Sequence, residues 1–241
     1  ALLSYFRNNI LHVYILSSLC ASLIQRNGTM SLNTIERVVG IMYPFLQAEL
    51  FLKYPARTLS HTLLEHLHIL VEENIIIDKG VNAEGQRVFT TPEPKTRSYQ
   101  QLTVLANSVE QSLERYFMVL ALLSQQGSGK LTKEQVIDLG HLLGQRLSVL
   151  YEDDMPDFFD RALFSSFIDA LERLDYIRVA SNNLIEFDAR IDTMAKSARF
   201  ILDLDVMHIL QQISQLTDEE IKRTLTELQN KKQRKFSRKK A

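Results

Sequence analysis

The sequence predicts a mainly α-helical protein with small β-hairpins, built as two similar three-helix plus hairpin units followed by C-terminal helices. Three observations carry this. Apolar residues recur at three- and four-residue spacing along several stretches separated by Pro and Gly. Each half also holds one short apolar run, a turn and a second apolar run, the pattern of a hairpin. Finally, landmarks repeat 101 positions apart: Ser31 with Thr132, Pro55 with Pro156, Leu67 and Leu70 with Ile168 and Leu171, and Ile76 with Ile177.

Taken in order, residues 5–26 form an apolar helix around Ile10–Leu16, Leu19, Cys20, Leu23 and Ile24, stopped by Asn27 and Gly28. Arg7, Asn8, Asn9, His12 and several Ser make it too polar to span a bilayer, so it reads as a buried or membrane-apposed amphipathic helix. Ser31 is placed to cap a second helix, which bends or restarts near Tyr43-Pro44. After Pro55 a third helix carries Leu59, Leu63, Leu64, Leu67, Leu70 and Val71. Ile75-Ile76-Ile77 reads as a strand, Gly80–Gly85 as a turn and Arg87–Thr90 as the returning strand, with Pro92 and Pro94 marking a boundary. The second half repeats this order. A helix runs from Arg97 to about Ser124 and stops at Gly127-Ser128-Gly129; Thr132 with Gln135 is a capping box; Pro156 opens a third helix. Tyr176–Val179 and Leu184–Phe187 flank a turn at Asn182-Asn183. Residues 190–216 are helical, and Thr217 with Glu220 caps a last helix from Asp218 to about Asn230. The expected domains are therefore residues 1–94, 95–189, 190–230 and a disordered basic tail, 231–241. The order of elements resembles a winged helix, a statement about architecture alone.

With 241 residues, 45% of them hydrophobic, and only 8 Gly and 5 Pro, the chain has enough apolar side chain for well-buried cores. The single cysteine, Cys20, excludes an internal disulfide and a cysteine-rich metal site. The opening at Ala1 has no basic, apolar and small-residue order of a secretory signal, and the chain reads as a piece that starts inside something longer. Formal charge is −1, but Lys231, Lys232, Arg234, Lys235, Arg238, Lys239 and Lys240 crowd the end with no acid, leaving 21 basic against 29 acidic residues before them. A globally basic nucleic-acid binder is not indicated. The tail itself has three readings: a solvated end, a clamp on anionic lipid worth about 1 kcal/mol per cation near the surface, or a nucleic-acid contact.

Chemistry-bearing clusters are few. His61, Glu65, His66 and His68 lie close in one helix, but no two histidines stand at the i, i+4 spacing that a helical zinc pair uses, so they read as surface or core-edge histidines. Glu152, Asp153, Asp154, Asp157 and Asp160 gather around the first turn opened by Pro156, where negative charge suits the helix dipole. No phosphate loop, nucleophile elbow or Cys/His dyad appears, and no catalytic, cofactor or metal residue is assigned. In the alternative reading, a winged-helix-like module binding nucleic acid or protein, the third helix of the second half is too acidic for reading DNA: Asp157, Asp160, Asp169, Glu172 and Asp175 face only Arg161 and Arg173.

Four stretches are distinctive: Tyr5-Phe6-Arg7-Asn8-Asn9-Ile10 with His12; Tyr43-Pro44-Phe45-Leu46-Gln47-Ala48-Glu49-Leu50-Phe51; Gln145-Arg146-Leu147-Ser148-Val149-Leu150; and Pro156-Asp157-Phe158-Phe159-Asp160 with Ala162-Leu163-Phe164-Ser165-Ser166. Together, in this order and spacing and up to about residue 180, they resemble the C-terminal region of the bacterial membrane-bound glycerol-3-phosphate acyltransferases. The resemblance implies an enzyme that moves an acyl group from acyl-CoA or acyl-carrier protein to the 1-hydroxyl of sn-glycerol 3-phosphate in phospholipid synthesis, peripherally at the cytoplasmic face of the inner membrane. It further implies a catalytic His with an Asp five positions on. Here the residues five beyond the six histidines are Ser17, His66, Val71, Glu73, Arg146 and Ile213. The resemblance therefore implies a non-catalytic fragment, inactive alone, whose partners are an N-terminal acyltransferase domain and an anionic membrane surface, with no nucleic acid.

Overall fold

A computed structural model of the chain describes residues 2–50, 58–150 and 161–202, together with 207 and 226. The protein is mainly helical with two small antiparallel sheets. The described part divides after Glu114: one compact unit takes everything up to that residue plus the segment from Lys196, and the second runs Arg115–Ala195.

In the first unit, helix α1 (Leu2–Asn27) is followed by strand β1 (Thr29–Ser31), helices α2 (Leu32–Leu50) and α3 (Leu59–Glu72), strands β2 (Ile77–Val81) and β3 (Arg87–Thr90), and the first half of α4 (Arg97–Gln126). Leu16, Leu19, Cys20, Leu23 and Ile24 repeat at three and four residues on α1 and are all buried against α2 and α3, where Ile35, Val39, Met42, Leu63, Leu67 and Leu70 complete the core. The α4 segment lies along α1: Gln25 donates to Thr103 Oγ1 at 2.7 Å, Ser18 and Ser108 share a 2.8 Å hydrogen bond, and Arg26 pairs with Glu110. The sheet order is β1-β3-β2, with Met30 opposite Phe89. A short 3₁₀ turn, Ser197–Phe200, returns to this unit, where Phe200 receives an Asn27 amide bond on its carbonyl and lies under the Arg37 guanidinium.

The second unit holds the end of α4, then α5 (Lys133–Leu150), α6 (Arg161–Arg173), β4 (Ile177–Val179), β5 (Ile185–Phe187) and α7 (Ala189–Lys196). Its core includes Tyr116 stacked on Phe167, with centroids 4.3 Å apart, and Phe164 seated against Gly140 of α5.

The 101-residue repeat reaches the backbone. Asn74 and Asp175 both adopt positive φ, and in each copy that residue's amide and the next one close the same helix C-terminal motif: Asn74 N–H and Ile75 N–H bond Val71 O and Leu70 O, as Asp175 and Tyr176 N–H bond Glu172 O and Leu171 O. Gly28 and Gly129 match in the same way. Leu131 takes the place of Met30: its carbonyl accepts from Ile185 N–H, Ile185 O accepts from Gly129 N–H, and Thr132 bridges Leu184, so the second unit keeps a reduced version of the β1 pairing.

Three local expectations are corrected. No break occurs at Tyr43-Pro44; α2 continues through Pro44. A proline inside a helix costs about 3 kcal/mol, and burying Met42, Tyr43, Phe45 and Leu46 completely, at about 1.5–3 kcal/mol per side chain, outweighs it. Strand β2 begins at Ile77 rather than Ile75, because the Ile75 and Ile76 amides are still engaged by Leu70 O and Ile76 turns into the core. Gly80 lies inside β2, at the irregularity between Asp78 and Val81, and the turn proper is Asn82–Gln86. The sequence reading also passed over β1. The helix opened by Pro156 is described only from Arg161, and the last helix around Asp218–Asn230 lies outside the described residues.

Candidate functional site

Two of the three capping predictions hold in atomic detail, and the third, Thr217 with Glu220, lies outside the described residues. Thr132 N–H donates to Gln135 Oε1 at 2.9 Å and Gln135 N–H to Thr132 Oγ1 at 3.2 Å, the reciprocal capping box of α5. Ser31 Oγ accepts from Thr34 N–H at 3.4 Å at the start of α2. These bonds fix helix starts and place no reactive group.

The histidines of α3 are the one cluster of titratable groups with chemical potential that the structure describes. His61 Nδ1 stands 3.6 Å from Glu65, both largely exposed. His66 turns the other way, toward α1, where its Nδ1 shares a 2.7 Å hydrogen bond with Ser17 Oγ. Burial lowers the His66 pKa below its usual value, against an opposing pull from Glu65, so the ring favours its neutral form. A hydroxyl held by a neutral imidazole is the first half of a nucleophilic pair, but Ser17 is only 9% exposed. What the pair does here is tie α3 to α1. Among the described residues no group of three His, Cys, Asp or Glu is arranged to hold a metal ion.

Elsewhere the polar chemistry is structural. Lys133 at the start of α5 binds both Asp169 and Glu172 of α6, and Arg161 of α6 pairs with the buried Asp138 of α5. In the first hairpin Arg87 holds Asp78, depressing its carboxyl pKa chiefly through their hydrogen bond. Cys20 is fully buried and its thiol is pushed up to about 12. Of the distinctive stretches, Gln145 of α5 is bonded to His141, one turn earlier, at 3.0 Å, and Phe164 belongs to the α5–α6 core. The acids Glu152, Asp153, Asp154, Asp157 and Asp160 lie outside the described residues, as do Lys231, Lys232, Arg234, Lys235, Arg238, Lys239 and Lys240.

The helix that would read DNA in a winged helix, α3, contains no Lys or Arg, and its partner α6 shows Asp169 outward. A nucleic-acid role finds no electrostatic support there. Among the described residues no helix is long and apolar enough to cross a membrane.

Comparison with known proteins is specific. The model of the glycerol-3-phosphate acyltransferase C-terminal region matches residues 1–180. Curated proteins named glycerol-3-phosphate acyltransferase align over most of the chain: that of Pseudomonas savastanoi pv. phaseolicola is 34% identical over 220 residues, 91% of this chain and 26% of its own length. That of Xylella fastidiosa strain M12 is 35% identical over 213 residues, 88% of this chain and 24% of its own. That of Xanthomonas campestris pv. campestris is 34% identical over 213 residues, with the same shares. No solved structure matches. The chain spans about a quarter of the length of these relatives, and it belongs to the family of glycerol-3-phosphate acyltransferase C-terminal regions.

Proposed function

We propose that the chain is the non-catalytic C-terminal part of an enzyme that transfers an acyl group from acyl-CoA or acyl-carrier protein to the 1-hydroxyl of sn-glycerol 3-phosphate, an early step of phospholipid synthesis at the cytoplasmic face of the bacterial inner membrane. The observation that carries this is the family match over residues 1–180, joined to relatives of that name four times as long. The sequence supports this reading in one respect: none of its six histidines is followed five positions on by an Asp.

In this reading the acyltransferase part, N-terminal in the relatives, holds the reacting groups, and the present region packs on it. The seven cations from Lys231 to Lys240 add a contact to anionic lipid, supported by a charge run without acids. The test is an exchange. The C-terminal quarter of the Pseudomonas savastanoi enzyme is replaced by this chain, and transfer of a labelled acyl group to glycerol 3-phosphate is followed. Transfer is expected from the joined enzyme and none from the 241-residue chain alone. A joined enzyme that folds, by circular dichroism, and transfers nothing would count against the assignment. Ending the chain before Lys231 is expected to reduce co-sedimentation with phosphatidylglycerol vesicles, most strongly at low salt.

A further inference from the structure

After Glu114 the chain passes through α5, α6, β4, β5 and α7 in the second unit, and the segment from Lys196 then re-enters the first. The re-entering piece is short. It is one 3₁₀ turn, Ser197–Phe200, followed by Ile201 and Leu202, and it joins neither sheet. Its apolar end is covered, with Ile201 at 2% and Leu202 at 4% exposure. Its rim is held by two exposed side chains. Asn27, the last residue of α1, donates through Nδ2 to Phe200 O at 3.0 Å, and the Arg37 guanidinium of α2 stands 5.8 Å from the centre of the Phe200 ring. The same Asn27 Nδ2 donates to Leu23 O at 2.8 Å, so the amide is anchored on α1 while it reaches for the turn. The helical core beneath has a different basis: Leu16, Leu19, Cys20, Leu23 and Ile24 of α1 pack against α2 and α3, elements complete by Glu72. A short, non-local attachment with solvent-exposed rim contacts opens at a lower free energy than such a core.

We propose that residues 197–202 are a strap on the first unit, opening and closing as a step of its own while α1, α2 and α3 stay packed. Opening releases Phe200 from Asn27 and Arg37 and bares the apolar surface that covers Ile201 and Leu202, beside the end of α1. Closure of the first unit then depends on a segment delivered by the chain that follows the second. An event that draws this segment away changes the surface of the first unit without unfolding it. The bared surface accepts the chemistry of the strap itself: an aromatic side chain and two aliphatic ones in a row, with a backbone carbonyl for the Asn27 amide.

Hydrogen exchange on the 241-residue chain tests this, because a protected amide exchanges through the opening that exposes it. The peptide covering residues 197–202 is compared with those covering 16–24 of α1 and 164–171 of α6, in the native chain and in the variants Asn27→Ala and Arg37→Gln. Each variant removes one rim contact at an exposed side chain. In the native chain the strap is expected to exchange before the α1 peptide. Each substitution is expected to speed the strap about twofold to tenfold, the loss of one hydrogen bond or cation–π contact, with the α1 and α6 peptides unchanged. A common rate for the strap and the α1 peptide in the native chain overturns the proposal, since the strap then opens only when the unit unfolds. A variant that speeds α1 as much as the strap makes the segment an ordinary part of the core and overturns it too, as does a strap rate that neither substitution moves.

Discussion

One substitution made at two helical glycines should change stability in opposite directions. Gly40 of α2 is exposed, and a Cβ there meets nothing within 4 Å; Gly140 of α5 would place its Cβ 2.9 Å from Phe164 Cδ1 and 3.0 Å from Cε1. Alanine in an exposed helix interior is better than glycine by about 0.5–1 kcal/mol, so Gly40→Ala is expected to stabilise by that amount. Gly140→Ala starts with the same gain. The Phe164 ring is completely buried and cannot swing into solvent, so the added methyl forces an overpacked contact costing about 1–3 kcal/mol. The net is a loss centred on about 1 kcal/mol, and the two variants should differ by the overpacking cost itself, about 1–3 kcal/mol. For a chain of this size each kcal/mol is about 2–4 °C in melting temperature, well within reach of urea titration followed by far-ultraviolet circular dichroism. If Gly140→Ala stabilises as Gly40→Ala does, the α5–α6 packing described here is wrong.

Other consequences can be checked on the same chain. Thr132→Ala removes one arm of the α5 capping box and should cost about 1 kcal/mol in urea titration; Thr132→Ser should retain most of it. Cys20 should resist a thiol reagent in native buffer and react at once in denaturant, since the folded thiol is buried with its pKa raised to about 12. His66 should titrate below the ordinary histidine value of 6.5 by proton NMR. Because its folded pKa lies below the unfolded one, its contribution to stability is fully present above pH 6.5 and is lost as pH falls through the folded value; His66→Gln should flatten that slope.

Local signals in the sequence were sufficient for what local chemistry decides. Thr132 with Gln135 predicts a capping box because both partners lie within one turn, and Gly127 stops α4 because its positive φ suits glycine. The fold class and the 101-residue repeat were legible for the same reason, through spacing. The start of β2 was not, because the three isoleucines at 75–77 look alike in sequence while Leu70 O claims the first two amides. Strand β1 escaped notice since three residues carry no periodicity; only its pairing with β3 defines it. The Ser17–His66 bond joins residues 49 apart, and Asp138 finds Arg161 across two helices, contacts that no spacing rule encodes. Helical periodicity listed Leu64 among the apolar positions of α3, yet its exposure depends on what the rest of the unit leaves uncovered. The family lay deeper still: it came from four long motifs taken together.

The central claim is that this region contributes no catalytic residue. Among the described residues His66, the histidine with a hydroxyl partner and a pKa lowered by burial, is the group closest to a general base. The decisive measurement is kcat for acyl transfer to glycerol 3-phosphate by the joined enzyme carrying His66→Gln. Our account predicts a kcat of the same order as the unsubstituted joined enzyme. Loss of a general base removes about 10²–10⁴-fold, and a fall of that size in a folded His66→Gln enzyme would place the chemistry in this region and contradict the account.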